Sequence, residues 1–113
     1  MVRKETYSEK ENLRGGKGVI RYYHVVSEEE LNGHGRLFAK LVIPPGGSIG
    51  WHQHVDETEP YYILKGEGDF TDNDGTVTHV GPGDCCIIEV NESHSIENTG
   101  DEDLELMALI YYK

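Results

Sequence analysis

Turn-forming residues punctuate this chain so often that no long helix fits between them. Pro44-Pro45-Gly46-Gly47, Asp72-Asn73-Asp74-Gly75, Gly81-Pro82-Gly83-Asp84 and Thr99-Gly100-Asp101-Glu102 each join residues that impose or tolerate turn dihedrals. The segments between them alternate apolar and polar residues, the pattern of strands with one buried face. In Arg36 to Ile43, the side chains of Leu37, Ala39, Leu41 and Ile43 share a face; in Leu104 to Tyr112, Leu104, Leu106, Ala108 and Ile110 do. Val19 to Val26, Tyr61 to Phe70, Thr76 to Val80 and Cys85 to Val90 read as further strands, with Gly66 and Gly68 as bulge or close-approach positions. Ser27-Glu28-Glu29-Glu30 matches a capping box and Asn32-Gly33 ends it, which leaves room for a helical turn or two. Short strands at roughly 8–12-residue spacing predict an all-β sandwich or barrel.

The chemistry-bearing residues concentrate between Gly46 and Gly66. His52 and His54 are one residue apart, so on a strand their imidazoles point to the same side, about 7 Å apart at the backbone. Two such rings can converge on one ion. Glu59 would face the other way on a straight strand, but Asp56-Glu57-Thr58 supplies a turn that brings it back. Glu57 is the alternative carboxylate, with spacing in favour of Glu59. His94 is the candidate third imidazole. His24, His34 and His79 read as ordinary surface or hydrogen-bonded histidines. Trp51 and Gln53 alternate away from the ligand face. Tyr22, Tyr61 and Tyr111 read as packing residues, with a hydroxyl lining a cavity as the alternative.

This spacing resembles the cupin family. Its first motif has Gly, His-x-His, Glu and Gly at the intervals of Gly46, His52, His54, Glu59 and Gly66. Its second has Gly, Pro-x-Gly, His and Asn, and is met here by Gly83, His94 and Asn98; Glu89 stands at the proline and Asn91 at the second glycine. Asn tolerates the left-handed backbone such a glycine adopts, so the departure bears on the loop before His94 more than on His94 itself. The resemblance implies a double-stranded β-helix, a jelly-roll-like barrel, with one metal held by three His and one Glu: His52, His54, Glu59 and His94. The domain reading is an N-terminal arm, residues 1–16, and a single barrel domain, residues 17–113. Gly15-Gly16-Lys17-Gly18 lacks the preceding strand and Lys-Ser/Thr ending of a phosphate loop and reads as a flexible entry to the first long strand. Asn98 is expected to pin a turn.

Imidazoles with one carboxylate suit a divalent transition ion: Mn, Fe, Ni, Zn or Cu. An ion with open positions can hold a bidentate oxygen ligand or polarise a carbonyl. The cupin resemblance implies dioxygenases, decarboxylases and isomerases, so the expected function is a small metal-dependent enzyme of one of these types acting on an oxygen-rich small molecule. The alternative is a non-catalytic small-molecule or metal-binding module. The formal net charge of -11 argues against nucleic acid or an anionic membrane as partner, because phosphates are repelled. No apolar run reaches the roughly 20 residues of a membrane span, and Met1 to Arg14 has no secretory core. Cys85 and Cys86 are adjacent and face opposite ways on a strand, so free thiols and a cytoplasmic location are expected. The resemblance implies pairing through the sheets, and the exposed apolar strands allow the expected homodimer.

Overall fold

In the computed structural model, which describes Met1–Lys113, the alternating segments form eleven strands. These are β1 (Ser8–Glu11), β2 (Val19–His24), β3 (Gly35–Ile43), β4 (Ser48–Gln53), β5 (Glu57–Thr58) and β6 (Pro60–Lys65), then β7 (Gly68–Thr71), β8 (Val77–Val80), β9 (Cys85–Ile87), β10 (Ser93–Asn98) and β11 (Leu104–Tyr112). All pairings are antiparallel. The larger sheet runs β1-β2-β3-β11-β6-β9, with β5 also on β11; the smaller runs β4-β10-β7-β8. Their inner faces enclose one core, as expected for the double-stranded β-helix.

The last strand is the centre of the larger sheet rather than its edge. Leu104, Leu106, Ala108 and Ile110 all point inward and are buried, as the alternation required. Leu106 lies opposite Leu41 on one side and Ile63 on the other; Ala108 lies opposite Ala39 and Tyr61. The small Ala108 beside Tyr61 leaves space for its ring, which stacks on His94.

Turn chemistry behaves as read. Asp72 to Gly75 closes the β7–β8 hairpin, with Gly75 at φ 87. The Ser27 hydroxyl accepts from the Glu30 N–H at 3.2 Å, and the Ser27 N–H donates to the Glu30 carboxylate at 2.9 Å, completing the capping box at a short 3-10 turn, Glu29–Leu31. Asn98 is buried; its side chain donates to Ile43 O and Glu102 O and accepts from the Gly100 N–H. Both cysteines are free, Cys85 outward and Cys86 in the core. No helix is long and apolar enough to cross a membrane.

Part of the N-terminal stretch is structured. β1 pairs with β2 through Ser8↔Tyr22 to Glu11↔Val19. A 3-10 turn, Leu13–Gly15, then lies against β4. Gly16 and Gly50 make this contact possible: a Cβ on either would collide with the other segment's backbone carbonyls.

Candidate metal centre

His52 and His94 face each other across the β4–β10 ladder. Ile49 and His52 both point inward although they are three apart, which simple alternation forbids. The register slips between His94/Ile96 and His52/Ile49, so Gly50-Trp51 oppose Ser95 alone. This bulge turns Trp51 outward and His52 in.

His54 lies just past β4, and its backbone is tied to the loop before His94: His54 N–H donates to Glu92 O at 3.0 Å and Asn91 N–H to His54 O at 2.9 Å. Asn91 takes the left-handed conformation, φ 70, so it fills the glycine position as its side-chain type permits. Its side chain also accepts the Asp56 N–H at 2.8 Å. Glu89 keeps the N–H that a proline would lack, and donates it to Glu92 at 2.7 Å. Asp56, at φ 58, makes the turn that returns Glu59 to the histidines.

The four expected residues converge. His52 Nε2 is 2.9 Å from His54 Nε2, which is 3.0 Å from His94 Nε2. Glu59 Oε1 is 3.1 Å from His54 Nε2 and 3.2 Å from His94 Nε2. All four potential ligand atoms lie within 4.8 Å of one another. Ligands about 2.1 Å from a shared ion and at right angles to one another stand about 3.0 Å apart, so these spacings fit a single ion.

Proton bookkeeping makes the same point. His52 Nδ1 lies 2.6 Å from Gly50 O and must donate to it. His54 Nδ1 lies 2.7 Å from Glu57 Oε1 and donates likewise. Neutral rings so arranged aim the bare Nε2 lone pairs of His52 and His54 at each other 2.9 Å apart, a repulsion that a cation between them would relieve. Burial pushes His52 down to about 4, keeping it neutral. Burial also works to lower His54, but Glu59 and Glu57 outweigh it and hold the ring above its ordinary value. Burial works to raise Glu59, and the bonds from His54 and His94 overcome it, leaving the carboxyl at about 2. A proton on His54, whose pKa is raised, can fill that role; a divalent ion would fill it with all rings neutral. The His94 ring is fixed by Tyr61, stacked at 5.1 Å, and by Phe70, edge-on at 5.5 Å; its buried Nδ1 has no partner.

Glu57 enters the site from behind. One oxygen takes the His54 Nδ1–H, and both accept from Arg36, at 2.8 and 2.7 Å. Burial acts to raise its carboxyl, but Arg36 and His54 together lower it. It therefore orients a potential ligand rather than joining the cluster. Sequence reasoning weighed Glu57 only as a rival ligand and did not find Arg36.

His52, His54 and Glu59 form part of the wall of a cavity of about 290 Å3. Tyr22 and Tyr61 line it, whereas Tyr111 is on the surface. Burial raises both lining hydroxyls, and the Glu59 charge raises them further, so both stay protonated. His24 reaches the cavity rim, while His79 is exposed and paired with Asp69 and Glu67. Lys10, Leu13 and Arg14 also line the cavity; no motif in the arm pointed to them.

A family model described as "Cupin domain" matches residues 39–110. A curated relative from Thermotoga maritima named oxalate-binding protein is 50% identical over 99 residues, covering 88% of this chain and 81% of that protein. The crystal structure of a predicted oxalate decarboxylase, also from Thermotoga maritima, superposes with TM-score 0.94 at 46% identity over 100% of both chains. The polyketide cyclase RemF from Streptomyces resistomycificus shares the fold at TM-score 0.77 and 18% identity, over 100% of this chain and 81% of its own.

Proposed function

The chain belongs to the cupin family, and from that premise we propose that it holds one divalent transition-metal ion on His52, His54, Glu59 and His94 and binds on it a small oxygen-rich carboxylate of the oxalate class. The observation carrying the metal assignment is three imidazole nitrogens and one carboxylate oxygen within 4.8 Å of one another, with neighbouring atoms 2.9 to 3.2 Å apart. The small-molecule assignment follows from the cavity beside those ligands and from the name of the Thermotoga maritima relative. When bound, such an ion supplies Lewis acidity to a coordinated oxygen. The chain itself orients the ligand set through Glu57 and Gly50, lines the cavity with Leu37, Leu41, Ile49 and Ile110, and keeps protons on Tyr22 and Tyr61.

Tyr22 and Tyr61, held protonated by burial and by the Glu59 charge, are hydrogen-bond donors to a bound carboxylate rather than acids. The expected homodimer would pair the outer face of the larger sheet, where Tyr62, Leu64 and Ile87 are exposed beside Phe38, Met107 and Leu109; sedimentation of the purified chain measures this directly.

The test is metal analysis of protein purified without a histidine tag, followed by stripping and re-addition of Mn, Fe, Ni, Zn or Cu. One ion per chain should bind and raise the melting temperature, since a ligand that binds only the folded state stabilises it. Oxalate should bind the loaded protein and not the stripped one. Identical melting with and without saturating metal refutes the metal assignment; release of formate and CO2 from oxalate separates enzyme from carrier.

A further inference from the structure

The cavity has a charge opposite to that of the molecule around it. The chain carries 21 acidic and 10 basic side chains, yet the cavity is lined by Lys10, Arg14 and Arg36 and by one carboxylate, Glu59. Glu59 belongs to the ligand cluster, and Arg36 is engaged with both oxygens of Glu57. Lys10 sits over the Tyr22 ring at 5.8 Å. Arg14 has no carboxylate partner and is the uncommitted cation of the site.

Arg14 is held there by construction. Its loop is tied at the base by Asn12 N–H to Gly18 O at 3.0 Å, Ser48 N–H to Lys17 O at 2.9 Å and Lys17 N–H to the Ser48 hydroxyl at 3.0 Å. The Arg14 carbonyl lies against Gly50, whose own carbonyl orients His52. The segment that carries the cation is thus braced on the residue that aims a ligand. Arg14 itself adopts φ 55, ψ 33, a backbone that favours glycine; a side chain is retained there against that preference.

We propose that Arg14, with Lys10 beside it, is the specificity-determining group of this site: it receives the second anionic group of a ligand whose first lies at the His/Glu cluster, so that the pocket selects small dianions over monoanions. This rests on the reading that the cluster holds a metal and a carboxylate. Arg14 and Lys10 are exposed at the mouth of the cavity, where a charge-assisted hydrogen bond distinguishes a ligand that can complete it from one that cannot.

The experiment is calorimetric titration of manganese-loaded protein with oxalate, a dianion, and glycolate, a two-carbon monoanion. Arg14→Gly removes the side chain while suiting the left-handed backbone, so the variant should melt no lower than the parent. Its oxalate affinity should fall about ten- to a hundredfold, the range of a lost hydrogen bond to a charged group, with glycolate affinity and manganese stoichiometry unchanged. Arg3→Gln removes the same charge at an exposed pair with Glu30 and should leave oxalate affinity as it was. Unchanged oxalate binding in Arg14→Gly, equal loss of both ligands, or an equal effect of Arg3→Gln each overturns the proposal while leaving the metal–carboxylate reading intact. Failure of the parent to bind oxalate at all, although manganese is taken up, overturns that reading, and this one with it.

Discussion

Replacing Glu57 by Gln tests whether the site depends on the groups behind its ligands. The carboxylate accepts three charge-assisted or ring N–H bonds, from His54 Nδ1 at 2.7 Å and from Arg36 at 2.8 and 2.7 Å. A glutamine has one acceptor oxygen in their place. If that oxygen stays with His54, its NH2 group meets an Arg36 donor. If it stays with Arg36, the NH2 group meets His54 Nδ1–H and drives the ring to the tautomer with its proton on Nε2, where the proposed metal would bind. Either arrangement weakens the site without removing a ligand. Loss of a partner of this kind costs about 10- to 100-fold in metal affinity, or about 1.4 to 2.8 kcal/mol. The half-buried Arg36 also loses its counter-charge, which lowers the stability of the metal-free protein by about 1 kcal/mol. Chelator-competition titration gives the affinity, and urea melts of stripped protein give the stability. The variant should still reach one ion per chain at saturation. Parental affinity with reduced stability would refute the orienting role; an empty site at saturating metal would show that Glu57 is itself a ligand.

Glu59→Gln should weaken metal binding more than Glu57→Gln does, because it removes the one anionic atom of the cluster; the same titration ranks the two, and the reverse order sinks the ligand set. Metal affinity should fall as pH drops. His54 is raised in the metal-free fold, so its proton contributes stability that is present below about 6.5 and lost as pH rises through the folded value, and metal must displace that proton. Calorimetry in two buffers of different ionisation heat should show proton release below about pH 7, and a pH-independent affinity contradicts it. His52, depressed to about 4, has the opposite sign: its contribution is present above about 6.5 and is lost as pH falls toward 4, which acid melts of the stripped protein will show against a His52→Gln variant. Asn98→Ala removes three hydrogen bonds and leaves Ile43 O and Glu102 O without their donors; it should cost about 3 kcal/mol in urea unfolding, and a loss below about 0.5 kcal/mol contradicts the pinning role.

The residues that can be read one strand or one turn at a time were legible without coordinates. Leu104–Tyr112 has the bounds its alternation indicated, and the Ser27 bonds and the Asn98 bonds to Glu102 and Gly100 follow from local side-chain chemistry. Cys85 to Val90 was read as a longer strand than the Cys85–Ile87 observed, because the tie between Glu89 and Glu92 bends the chain before apolar content ends. The convergence of His52, His54, Glu59 and His94 was likewise legible, since motif spacing encodes a strand pair and a turn.

Three features had no sequence signal. The Gly50-Trp51 bulge that aims His52 depends on the register of β10. The Arg36–Glu57 pair joins residues 21 apart through the antiparallel seating of β3 and β5 on β11. Arg14 reaches the cavity because Gly16 and Gly50 let two backbones touch. Period-two patterning and turn residues are local properties of a chain, so the sequence by itself determined the strand faces, the turns and the identity of the ligand candidates. Which charges stand behind those ligands and which face the cavity depends on pairing between distant strands. That pairing is chosen by the summed burial of the whole core, and only the tertiary structure decided it.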